Sequence, residues 1–253
     1  MDGPLIQLKQ VSKIYDHEVI IEGINLSVYK GETIAILGKS GCGKSTLLNL
    51  IGGFEKPTTG IISIDQKEVR HPSKTCVMLM QQYGLLPWRS VQKNVELALE
   101  GLTLSRQQRS ERALHYLKMV GLDDKLDALP HELSGGMQQR VAIARALAIQ
   151  PEVILMDEPF AALDTLTRYH LQDELVRIQN NEQATIILVT HDIEEAIYLA
   201  DRIYLMRSQP GHIFKEIPIQ KTKPRDRSDR DFQHYRKLIL EQFQSTHSVT
   251  INN

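Results

Sequence analysis

The chain has 253 residues, 42% hydrophobic and 24% charged, an ordinary globular composition with room for one large domain or one domain with a lobe. With 30 Lys+Arg against 31 Asp+Glu, the formal charge of −1 offers no global electrostatic grip on nucleic acid or an anionic membrane. The two cysteines, Cys42 and Cys76, form neither a disulfide framework nor a metal spacing, and no apolar run approaches the roughly 20 residues of a membrane-spanning helix. The N-terminus lacks a charged-then-apolar signal layout. A reducing cytosol is therefore expected, with any membrane connection made through a protein partner.

In chain order, Leu5-Ile6-Gln7-Leu8 and Ile24-Asn25-Leu26-Ser27-Val28 alternate and predict strands. Thr33-Ile34-Ala35-Ile36-Leu37 is a continuous apolar run, as a strand buried on both faces would be. A helix is expected from Lys44 to Ile51, ending at Gly52-Gly53, and short strands at residues 61–64 and 76–79. Residues 91–150 carry Leu, Ala, Arg, Gln and Glu at helical spacing, broken at Gly121 and Pro130; a helical subdomain is expected at about residues 90–128. Strands return at residues 153–156 and 185–189, each followed by a helical pattern, which predicts a mostly parallel sheet covered by helices. Residues 202–219 read as a hairpin turning at Pro210-Gly211, and a final helix is expected near Asp231 to Gln244.

Between the third strand and the first helix, Gly38, Lys39, Ser40, Gly41, Cys42, Gly43, Lys44 and Ser45, followed by Thr46, fit G-x-x-x-x-G-K-[ST] in the strand–helix context the motif requires. Glycines let successive backbone N–H groups curl around a phosphate, and the helix opening at Lys44 adds the positive end of its dipole. Lys44 is expected to reach the outer phosphates of ATP, and the Ser45 hydroxyl to ligate Mg²⁺. Downstream, the apolar strand at residues 153–156 ends in Asp157-Glu158, at the sheet edge where open α/β sheets bind ligands. Asp157 is the expected holder of the Mg²⁺ shell and Glu158 the expected base toward the attacking water. Further on, Leu133-Ser134-Gly135-Gly136-Met137-Gln138-Gln139-Arg140 opens another helix, with Ser134 as N-cap and two glycines leaving backbone donors uncovered. This reads either as a capped amphipathic helix or as a second anion site with no local ligand to serve.

On these motifs the sequence resembles the ATP-binding-cassette (ABC) ATPases, with residues 133–140 similar to their signature motif and the likeness running from Leu5 to about Ile219. The resemblance implies an α/β P-loop NTPase: a RecA-like core, an N-terminal antiparallel β subdomain and an inserted α-helical subdomain. Residues 5–219 would be the ATPase domain and residues 220–253 a short tail with one helix. It further implies roles for other residues. Tyr15 looks like the aromatic residue that stacks on adenine, the alternative being a structural tyrosine near a turn. Gln81 looks like the glutamine that contacts Mg²⁺ or water and senses the transport partner, with Gln82 the alternative register. Asp164, in Ala162-Leu163-Asp164, looks like part of the loop that crosses to a second subunit, and His191 like the switch histidine holding the γ-phosphate and Glu158. The implied mechanism joins two copies head to tail, with Ser134, Gly135 and Gly136 of one facing the nucleotide of the other.

One phosphate loop without a membrane segment, a coiled-coil insertion or a second cassette narrows the resemblance to the stand-alone ATPase of a bacterial-type importer. Residues 81–95, residues 48–60 and the tail Lys223-Pro224-Arg225-Asp226-Arg227 are similar to the ATPases of nitrate, taurine and aliphatic-sulfonate importers, a group that extends to thiamine-precursor pyrimidines, riboflavin-like compounds and bicarbonate. The implied partners are a second copy, integral membrane permease subunits and, indirectly, a solute-binding protein, with no nucleic acid. The implied location is the cytoplasmic face of the membrane. Leu85-Leu86-Pro87-Trp88-Arg89 would meet the permease, unless Trp88 packs into the local core. The alternatives are a soluble cassette ATPase acting on a macromolecule, disfavoured by the missing insertion, and the ATPase of an efflux system. Two oddities stand out: Met80 where an aromatic residue is common, and Cys42 as an oxidisable thiol in the loop. A regulatory domain like that of sugar-importer ATPases is not expected after the tail.

Overall fold

The computed structural model describes residues 3–80, 83–161 and 163–244. In chain order the first elements are β1 (Ile6–Tyr15), β2 (Glu18–Val28), β3 (Thr33–Gly38), α1 (Lys44–Ile51), β4 (Thr59–Ile64), β5 (Lys67–Glu68) and β6 (Cys76–Leu79). Then come α2 (Val91–Leu99), α3 (Arg106–Met119), a 3-10 turn at Pro130–Glu132, α4 (Gly135–Ala148), β7 (Val153–Asp157) and α5 (Thr165–Glu182). The chain continues through β8 (Thr185–Thr190), α6 (Ile193–Leu199), β9 (Arg202–Arg207), β10 (His212–Pro218) and α7 (Arg230–Gln244).

Six strands form the central sheet in the order β10-β9-β3-β8-β7-β6, parallel throughout except for β10, which returns antiparallel along β9. Period-two alternation divides its side chains between two cores. Ile34 and Ile36 on β3, with Ile187 and Val189 on β8, face α1 and the second, antiparallel sheet, β2-β1-β4-β5. Ala35, Leu37, Ile186 and Leu188 face the opposite way, toward the remaining helices. Continuous apolar strands are what burial on both faces demands.

Helix boundaries follow local capping chemistry. Ser90, Ser134 and Asp164 place a side-chain oxygen on the N–H groups of Lys93, Met137 and Thr167, and Ser105 forms a capping box with Gln108. The helical segment expected at residues 90–128 holds α2 and α3. Its base closes where the Val91 and Gln92 N–H groups donate to Ala128 and Leu126 (2.9 and 3.0 Å), and α4 packs against both α2 and α3.

The tail carries the one expected helix, α7. It contributes Phe232 and Ile239 to the larger core. Arg225 is buried, and its Nη1 donates to the carbonyls of Ile197 and Ala200 (both 2.6 Å), which satisfies the last turn of α6. Arg227 lies against the rings of Tyr169 on α5 and Tyr198 on α6, 3.9 and 3.7 Å from their centroids. No helix among the described residues is long and apolar enough to cross a membrane.

Candidate active site

Strand register assembles the site. Leu37 pairs with Thr190 and Asp157 with Val189, so the chain leaves β3, β7 and β8 side by side at their carboxyl ends. The phosphate loop, Glu158 and His191 begin there, and β6 ends at Leu79 on the same edge. Gln81 and its alternative Gln82 lie outside the described residues.

The loop is built for close backbone approach. Gly41 (φ 79°) and Gly43 (φ 95°) take left-handed conformations, and Gly43 starts α1 with no side-chain cap, leaving the first N–H groups open. The Lys44 side chain is buried and folds over the loop, donating to the carbonyls of Gly38 (2.9 Å) and Lys39 (3.1 Å). Cys42 points inward, and burial above all pushes its thiol up from the ordinary range. This corrects the expectation of an oxidisable thiol.

The loop is buttressed from behind. A Cβ on Gly211, in the β9–β10 turn, would fall 2.3 Å from the Cys42 carbonyl oxygen and 2.7 Å from that of Ile20. Both are backbone atoms that cannot rotate away. Gly211→Ala is therefore expected to cost about 1–3 kcal/mol of stability and to weaken ATP binding, as read by thermal denaturation and nucleotide titration. Unchanged values in both would mean the turn yields freely.

The Ser45 hydroxyl donates to Asp157 Oδ1 (3.0 Å), setting two hard oxygens side by side. Burial pushes the Asp157 carboxyl above its usual range; the Ser45 hydrogen bond opposes this and the adjacent Glu158 charge adds to it. Among the described residues no cluster of three or more His, Cys, Asp or Glu could hold a metal by itself. An oxygen pair of this kind fits Mg²⁺, which takes few protein ligands and completes its shell with phosphate oxygens and water.

Beyond Asp157 the backbone turns at Glu158 (φ 44°), whose N–H donates to the Val189 carbonyl (3.0 Å). That unusual geometry aims the carboxylate at the neighbouring strand end, where Glu158 Oε2 and His191 Nδ1 lie 3.2 Å apart. At the far side of the loop, Tyr15 is partly exposed, with its hydroxyl bonded to Glu55 and Lys13 Nζ 4.7 Å from its ring centroid. Lys13 also pairs with Glu55 (3.3 Å), so two side chains hold the ring in place. The sequence singled out Tyr15 by resemblance but gave no signal for Lys13 or for Glu55, which lies 40 residues from Tyr15 and meets it only in the fold.

The glycines after Ser134 differ from each other. Gly135 is exposed, whereas Gly136 is buried, and a Cβ there would come within 2.5 Å of Thr167 Cγ2 on α5. The second glycine thus has a packing reason in addition to backbone exposure. Asp164 is exposed and caps α5 through the Thr167 N–H (3.0 Å), which holds its carboxyl below the usual range. Arg168, Asp192 and Glu195, clustered beside His191, carried no motif signal.

Comparison with known proteins agrees with this geometry. The family profile described as ABC transporter matches residues 21–161. The chain is 45% identical over 212 residues to the nitrate import ATP-binding protein NrtD of Synechococcus elongatus, covering 83% of this chain and 77% of that one. It is 42% identical over 239 residues to the bicarbonate transport ATP-binding protein CmpD of Synechocystis sp., covering 91% and 85%. The fold is similar to that of a dimeric ATP-binding cassette in a post-hydrolysis state bound to ADP and Pi, with a TM-score of 0.75 and 35% identity over 86% of this chain and all of the other. The profile match over more than half of the chain, together with relatives above 40% identity, shows that the chain belongs to the ABC transporter family, as an ATP-hydrolysing cassette.

Proposed function

We propose that the chain is the ATPase subunit of an importer for a small solute of the nitrate, bicarbonate or sulfonate kind, working as a head-to-tail pair on two permease subunits at the cytoplasmic face of the membrane. The observation that carries the catalytic part is the meeting of the phosphate loop, the Ser45–Asp157 oxygen pair and the Glu158–His191 pair at one sheet edge.

In this reading Lys44 leaves its loop carbonyls for the outer phosphates, and the N–H groups of residues 41–46 cradle them. Ser45 and Asp157, with Gln81, would hold Mg²⁺, which when bound would neutralise charge on the phosphates. Glu158 orients and deprotonates the attacking water, His191 holds the γ-phosphate and Glu158, and Tyr15 stacks on adenine. The dimeric relative supports a second copy; in this reading that copy closes over the nucleotide with Ser134, Gly135 and Gly136, and Asp164 crosses between subunits. Each ATP then joins two chains, and loss of its γ-phosphate lets them part.

The names of the two curated relatives support import of a small anion. The lobe surface is suited to a permease. Trp88 is 73% exposed, so it does not pack into the local core. Buried Asn94 shapes the segment that presents it, donating to the carbonyls of Leu86 (3.1 Å) and Arg89 (2.8 Å) while its Oδ1 accepts the Leu86 N–H (2.7 Å). Arg145 anchors the preceding stretch through the carbonyls of Tyr83 and Gly84. Exposed Trp beside a backbone fixed in this way makes a ready seat for a partner's short helix.

Ser134→Arg tests the shared site. The variant should bind ATP as the parent does, yet lose at least about tenfold in turnover and fail to dimerise with ATP. Parental turnover would count against a composite site. Co-expression with the neighbouring permease genes tests the importer assignment: the protein should then sediment with membranes and stay soluble without them.

A further inference from the structure

The loop between β7 and α5 and the loop between β8 and α6 come from different parts of the chain, yet one side chain joins them. Arg168, in the first turn of α5, donates through Nη1 to Asp192 Oδ2 (3.0 Å) and through Nη2 to the Leu163 carbonyl (3.2 Å). Its backbone N–H donates to the Asp164 carbonyl (2.9 Å). Asp192, in turn, is fixed on every side. Its Oδ1 accepts the N–H groups of Glu194 (2.8 Å) and Glu195 (3.1 Å), and its own N–H donates to Thr190 Oγ1 (3.0 Å). His191 therefore sits between two tethered residues, with Nδ1 toward Glu158.

Arg168 and Asp192 keep only 26% and 31% of their side-chain surface exposed, so the charge-assisted bond is partly shielded from water and its geometry is held. Glu195 lies beneath them, 4% exposed, against the Thr190 hydroxyl. Burial, then the Asp192 charge, push its carboxyl up to about 8. The raised pKa disfavours its ionised form, and the guanidinium pairs with Asp192.

We infer that Arg168 is a positioning residue that couples the Leu163–Asp164 loop to the His191–Glu158 pair of the same chain through Asp192. Movement of the loop that meets the second copy is then transmitted to the histidine by one planar group with two donors in fixed relation. The inference rests on the catalytic reading of His191 given above.

The test is a double-mutant cycle in ATP turnover with Arg168→Gln, Arg168→Lys, Asp192→Asn and His191→Ala. Arg168→Gln should lower kcat by about tenfold or more with KM for ATP unchanged and the melting temperature near the parent's. Asp192→Asn should act in the same direction. Lysine retains the charge but cannot serve both acceptors, and should recover only part of the rate. In a His191→Ala background the Arg168→Gln change should add little. A normal kcat for Arg168→Gln, or effects that multiply with those of His191→Ala, would overturn the coupling. Parental turnover in His191→Ala itself would instead overturn the role of the histidine, and the coupling with it. If Arg168→Gln folds poorly, Asp192→Asn and the lysine variant carry the same comparison.

Discussion

Glu158→Gln should bind ATP as the parent does, lose at least about a hundredfold in kcat and accumulate as an ATP-bound dimer. The amide keeps the size and the approach to His191, 3.2 Å from the carboxylate in the parent, but has no basic oxygen for the water proton. Binding survives because it depends on other parts, the open N–H groups of α1, Lys44 and the Ser45–Asp157 pair. Single-turnover hydrolysis and size-exclusion chromatography with ATP would check both halves. Near-parental hydrolysis would remove Glu158 from the role of base. A slow variant that stays monomeric would leave the base in place and count against closure around ATP.

Glu195→Gln should make the protein more stable at pH 8–9 and change little at pH 5. An unfolded glutamate ionises near 4.5, whereas the buried Glu195 carboxyl holds its proton until about 8. Between those values the unfolded chain binds fewer protons than the folded one, so stability falls as pH rises through the window and levels off above it. At about 1.4 kcal/mol per unit of separation, the accumulated cost is on the order of a few kcal/mol. Asp192 and Glu158 push the carboxyl up, the Thr190 hydroxyl and Arg168 oppose them, and Oε1 has no hydrogen-bond partner among the described residues. A neutral amide removes the penalty, so the difference in melting temperature between variant and parent should widen from pH 5 to pH 8.5. A difference independent of pH would show that Glu195 is ionised in the folded protein.

Much of the site could be found before any fold was known, because phosphate chemistry imposes local constraints. A glycine loop, a lysine and a hydroxyl must occur within eight residues, between a strand and a helix, and that is a pattern in one dimension. The boundaries of α1, β3, β7 and β8 were legible for a similar reason: apolar runs buried on both faces stop where the chain turns outward. Tyr15 and His191, by contrast, had no signal of their own and were placed only by resemblance to a family.

Partners that meet across long stretches of chain stayed hidden. Glu55 under Tyr15, Gly211 against the Cys42 carbonyl and Arg168 on Asp192 are ordinary residues whose roles come from where the sheet brings them. The tail shows the same limit. Its charged stretch carries no sign of burial in the sequence, yet Arg225 is buried because the carbonyls at the end of α6 accept its donors.

By itself, then, the sequence determined the phosphate loop, the acids at Asp157 and Glu158, the alternation of strands and helices and the presence of a helical lobe, all of them set by local spacing. Only the tertiary structure decided that Trp88 faces solvent, that Cys42 is buried, that α4 packs on α2 and α3 and α7 on the main core, and that Arg168 bridges two loops. Those outcomes depend on which surfaces meet when parallel strands align in register, and a linear pattern of residues carries no record of that pairing.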